Sequence, residues 1–174
     1  MKKNSMNHKL IIFIGSLASM AAGYIHIFIV GLGHGSILLH LITFMIGGLL
    51  QIILGIMIWN EKYIREIFWS SAILHGGFMC MLVFATVFPV PFLGKTESLG
   101  DIGLITLLLE VLALACFLFL FIKHTRKTVV KHIILTFCLG VFVGSSAFIF
   151  GYMAEGFFPQ MKNTDEIHGD HHDH

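Results

Sequence analysis

A chain of 174 residues that is 56% hydrophobic and only 12% charged, with a mean hydropathy of +0.87, has too little charge to coat a water-exposed surface. Its apolar content exceeds what one core can bury, which excludes a disordered tail, a coiled coil and a compact cytosolic enzyme and makes the bilayer the expected solvent. The formal net charge of +1 offers no basic field to nucleic acid, and Cys80, Cys116 and Cys138 sit in apolar runs without CxxC spacing, so neither a disulfide framework nor a thiolate zinc cluster is expected.

A membrane-spanning helix needs about 20 mostly apolar residues at about 1.5 Å rise each. Residues 10–32, 36–59, 64–88, 102–122 and 129–153 meet that requirement. Gly31, Gly33 and Gly35 break the first run from the second, and Asn60-Glu61-Lys62 the second from the third. Pro89 and Pro91 end the third, because a residue before proline is pushed out of the helical region. Lys123-His124-Thr125-Arg126-Lys127 separates the last two. The expected fold is therefore all-α: a five-helix transmembrane domain over 1–158, then a flexible His/Asp-rich tail over 159–174.

Lysine and arginine counts set the expected orientation. Lys2, Lys3, Lys9, Lys62, Arg65, Lys123, Arg126, Lys127 and Lys131 fall on one side, against Lys95 and Lys162 on the other. The N-terminus is expected in the cytoplasm and the C-terminus outside the cytoplasmic membrane. Lys2, Lys3, the apolar stretch 10–17 and Ala18-Ser19-Met20-Ala21 also fit a signal peptide, although the apolar run continues past the length of a signal core to Leu32. Either way residue 33 is outside and the orientation is the same.

Polar residues within the spans mark the faces that turn from lipid, since burying one without a partner is costly. Helical spacing puts Gly15, Ser19, Ala22 and His26 on one face of the first span, and His40, Phe44, Gly47, Gln51 and Gly55 on one face of the second. Ser71, His75, Met79, Leu82 and Thr86 align on the third, and Gly103, Thr106, Glu110 and Ala113 on the fourth. Thr136, Gly140, Gly144, Ala147 and Gly151 form a small-residue stripe on the fifth, suited to close helix packing. Gln51 reads as interhelical glue, and His124 and His132 as part of a basic flank at the headgroups.

Offsets along the helices place His26 about 8 Å and His40 about 6 Å below the outer edge, with His34 in the turn between them. Three imidazoles are thus expected to converge near the outer interface, as a metal or haem site. His75 and Glu110 fall at nearly the same depth and meet if the third and fourth helices touch, as a structural pair or a proton or ion relay. Met79-Cys80-Met81, one turn beyond His75, offers soft sulfur for Cu(I), and otherwise gap filling between helices. The tail His168-Gly169-Asp170-His171-His172-Asp173-His174 suits a borderline divalent ion. HExxH, GxSxG and a phosphate-cradling glycine loop are all missing, so no catalytic residue is nominated and nucleotide is not an expected partner.

Gly23-Tyr-Ile-His26, His34, Phe44, Gly47-Gly48 and Gln51 together resemble a group of small uncharacterised prokaryotic polytopic membrane proteins. Those proteins carry a His near the end of one helix, a second in the turn, and an F-x-x-x-G-x-x-Q-like face on the next. The resemblance implies an accessory or metal-linked membrane protein and does not reach Glu110 or the tail.

The functional expectation is a membrane protein that binds a transition metal, copper first and zinc or nickel otherwise, on its extracytoplasmic side, for uptake or delivery to a partner membrane enzyme. His168, His171, His172 and His174 would capture the ion, His26, His34 and His40 receive it, and His75, Glu110 and Met79 form a deeper station. The alternatives are an accessory subunit of a membrane redox complex holding haem b between His26 and His40, or a subunit with a packing role alone.

Overall fold

A computed structural model describes residues 3–31, 38–125 and 129–157. Among them every regular element is helical, and five helices are long and apolar enough to cross a membrane. Helix α1 (Lys3–Ile25) runs on into a π-wound segment (His26–Gly31), followed by α2 (Leu38–Met57), α3 (Ile64–Val87), α4 (Asp101–Thr125) and α5 (Val129–Phe157). The first helix starts seven residues before the expected apolar run and the fifth extends four beyond it, because helical winding does not stop where apolar composition does. Other boundaries follow local chemistry. Asn60 accepts the Lys62 amide in the α2–α3 turn, and Phe88, preceding Pro89, is extended with ψ 148°. Asp101 supplies a negative charge to the first turn of α4.

Helices α1, α2, α3 and α4 form a ring in that order, and α5 packs on the outside against α3. The α1–α2 and α3–α5 seams are close because glycines face each other: a Cβ on Gly48 would lie 2.5 Å from the Gly23 carbonyl oxygen, and one on Gly140 would lie 3.1 Å from the Gly76 backbone. Gly140 and Gly144 of the α5 small-residue stripe thus face α3, while Gly151 faces Pro91.

The ring is layered along its axis. Nearest the α2–α3 turn, Ile12, Leu54, Ile58, Ile64, Ile67, Phe68, Phe117, Leu120 and Phe121 make an apolar plug, with Phe68 and Phe121 stacked at 4.2 Å. His132, expected in a basic flank at the headgroups, is buried and packs beside Phe121 with the ring centroids 5.1 Å apart. Above the plug lies a polar layer of Ser19, Gln51, His75 and Glu110, each at most 1% exposed. Toward the α3–α4 connection the helices leave a cavity. The outer faces carry Leu49, Leu108, Phe137 and Phe142, all exposed. Polar residues inside and large apolar ones outside suit a lipid solvent.

Candidate functional site

Four helices each send one or two side chains to the polar layer, and Glu110 is the hub. Gln51 of α2 donates its amide N–H to Glu110 Oε1 at 2.7 Å. His26, the first residue of the π-wound segment, places Nε2 2.8 Å from the same oxygen. His75 of α3 places Nδ1 against Glu110 Oε2. Ser19 of α1 completes the set: its hydroxyl donates to the Gln51 backbone carbonyl oxygen at 2.7 Å, and its oxygen lies 3.1 Å from His75 Nε2. The His26 ring stacks on Phe78 at 4.2 Å, and the tip of Phe78 fills the space beside Gly47.

These contacts place the protons. Ser19 has a single hydroxyl hydrogen, already directed at the Gln51 carbonyl, so His75 Nε2 is the donor to Ser19. Glu110 Oε1 accepts from both Gln51 and His26. His26 Nδ1 is buried without a partner and carries the lone pair of the Nε2–H tautomer, since an N–H there would be an orphaned donor. The second Gln51 amide hydrogen is within reach of His75 Nδ1 only over a long 3.5 Å contact, which does not separate Nδ1 from Glu110 Oε2, so a hydrogen between those two atoms keeps two lone pairs from meeting. One proton lies between them. The cluster is either a carboxylic acid beside a neutral imidazole or a carboxylate beside an imidazolium, and both forms are electrically neutral.

The cluster forms the floor of a cavity of about 470 Å³ that His26 and Glu110 both line. That volume falls within the range of roughly 300–1,000 Å³ typical of small-molecule sites. Phe44, Phe78, Met79 and Leu82 make apolar walls, and Pro91 and Leu93 of the 88–100 connection contribute to its far end. This connection is fastened to α5: the Tyr152 hydroxyl donates to the Pro89 carbonyl oxygen, and the Phe92 N–H to the Glu155 carboxylate at 3.1 Å. The plug separates the cluster from the opposite end of the ring.

Of the residues nominated from sequence, the structure joins His26, His75 and Glu110 in one cluster. His40 and Met79 line the adjoining cavity. His34 and the tail residues His168, His171, His172 and His174 lie outside the described residues. The expected meeting of His75 with Glu110 is observed, and His26 joins them through Nε2 while sharing the cavity lining with His40. Among the described residues, no group of three or more His, Cys, Asp or Glu side chains is arranged to hold a metal ion. Ser19, and Gln51 as more than a helix-to-helix bond, were missed as members of the network; their signal was the face each shares with a histidine. Comparison with protein-family models, curated proteins and solved structures finds no match for the chain.

Proposed function

We propose that the chain is a multi-pass membrane protein in which the His26–Glu110–His75 cluster binds a proton reversibly and couples its release to occupation of the cavity above it. The single observation behind this reading is the contact of Glu110 Oε2 with His75 Nδ1, in a layer closed on one side by apolar packing and lined on the other by a cavity. Ionisable groups inside a membrane bundle are expensive unless they work, and a carboxyl group sharing a proton with an imidazole has two neutral states that exchange by a short transfer.

Infrared difference spectra of the purified protein, recorded across a pH titration, test the reading. A carboxyl or imidazolium signal that titrates in the wild type and vanishes in Glu110→Gln is expected. A wild-type protein in which no signal assigned to Glu110 or His75 changes with pH overturns it.

A second reading keeps the metal expected from sequence, because His26, His40, Met79 and Glu110 all line the same cavity. In it a copper ion, or zinc or nickel, enters from the extracytoplasmic side for uptake or delivery to a partner enzyme, with the tail as a capture segment. Metal analysis of protein lacking residues 168–174 decides it: stoichiometric metal that is lost in His26→Ala supports the reading, and metal-free protein removes it. A Soret band lost in the same variant or in His40→Ala would instead support haem b in a redox accessory subunit.

A further inference from the structure

We infer that the cavity is a binding site for a lipophilic organic cation, an amine or a quaternary onium, that takes the place of the cluster's proton. The inference rests on the proton-binding reading above and adds the chemical class of the occupant. It follows first from charge. With its proton in place the cluster is neutral; once the proton leaves, a carboxylate remains beside two neutral imidazoles, nearly without exposure to water. An unbalanced charge in such a layer is strongly disfavoured, so the deprotonated state persists only when a positive charge arrives. The occupant that exchanges for one proton is therefore a monovalent cation.

The walls select its kind. Phe44, Phe78 and Phe148 present aromatic rings, whose faces attract a cation, and Met79 and Met81 present polarizable thioethers. Glu97 adds a second carboxylate to the lining and His40 of α2 an imidazole beside that of His26, and among the described residues no lysine or arginine lines the cavity. An apolar, aromatic chamber of about 470 Å³ with acid at its floor and at its wall fits a delocalised or alkylated cation.

Tetraphenylphosphonium and tetraphenylborate, matched in shape and opposite in charge, make the test. Each is titrated by calorimetry into the purified protein in nanodiscs, with empty nanodiscs subtracted, in weak buffer so that released protons are counted. The phosphonium is expected to bind, to release one proton, and to lose affinity by about tenfold for each unit of pH lowered through the protonated range. The borate is expected not to bind above the empty-disc level. Glu110→Gln should bind the phosphonium at least about tenfold more weakly and without pH dependence. Glu97→Gln, at the cavity wall, should weaken binding yet keep the proton release. Should Glu110→Gln fail to fold, the wild-type pH slope and the Glu97→Gln result still decide the matter. Equal or tighter binding of the borate, or phosphonium binding indifferent to pH, or no binding of the phosphonium, overturns the inference. An infrared proton signal at Glu110 together with any of those results leaves the proton site standing and removes only the cation.

Discussion

Replacing Glu110 separates the structural share of the polar layer from its chemistry. Glu110→Leu removes the acceptor of the Gln51 amide and of His26 Nε2, and the partner of His75 Nδ1. Interhelical hydrogen bonds in membrane bundles average about 0.6 kcal/mol and reach about 1.7, because the separated helices also find partners in the membrane. Three such bonds give roughly 2–5 kcal/mol, and each kcal/mol lowers the midpoint by roughly 2–4 °C in a chain of this size. Thermal unfolding in a mild detergent, followed by circular dichroism, should therefore show Glu110→Leu melting at least about 4 °C below the wild type. Glu110→Gln behaves differently. Its side-chain oxygen still accepts from Gln51 and His26, and its amide donates to the neutral Nδ1 of His75, so each partner stays satisfied and the midpoint should hold within about 2 °C. What the amide cannot do is give up a proton. If Glu110→Leu melts with the wild type, the hub is not holding these helices together; if Glu110→Gln falls as far as Glu110→Leu, the proton placement derived for His75 is wrong.

Other consequences can be checked in the same preparation. Ser19→Ala leaves the His75 Nε2 donor without its acceptor in a buried layer and should cost about 1–3 kcal/mol in denaturant unfolding, with the infrared signal of the cluster shifted as well. Gly48→Ala drives a Cβ into the Gly23 carbonyl oxygen, a backbone atom that cannot swing aside, and should destabilise by about 1–3 kcal/mol, whereas Gly156→Ala, with open space around it, should change little. In a background with the native cysteines replaced, Leu82→Cys, which lines the cavity, should react with a water-soluble maleimide, while Leu120→Cys, in the plug, should react only after unfolding. Equal labelling of the two would mean that the layer under the cluster is open.

The five spans were legible because twenty apolar residues in a row have few other uses, and Pro89 and Asn60 punctuate them by mechanisms that act locally. The inward faces were legible too: Ser19, Ala22 and His26, or Gly47 and Gln51, recur at helical spacing, and all are buried. The pairing of His26 was not. Backbone offsets placed its Cα higher in the membrane than that of Glu110, and depth alone then suggested His40 and His34 as its companions. Side chains, however, lean toward the N-terminus of their own helix. His26 stands on a helix running toward the cavity end and Glu110 on one running away from it, so the two lean toward each other and close the gap to 2.8 Å. The stacking of His26 on Phe78 is likewise set by which helices share a seam, information that belongs to the ring order and not to any one span. The cavity was equally hidden, since α2, α3, α4, α5 and the 88–100 connection all contribute to its lining. Composition and period thus carry the helices and their faces, while direction and neighbour choice carry the site, and it is direction that joins His26 to the His75–Glu110 pair in one cluster.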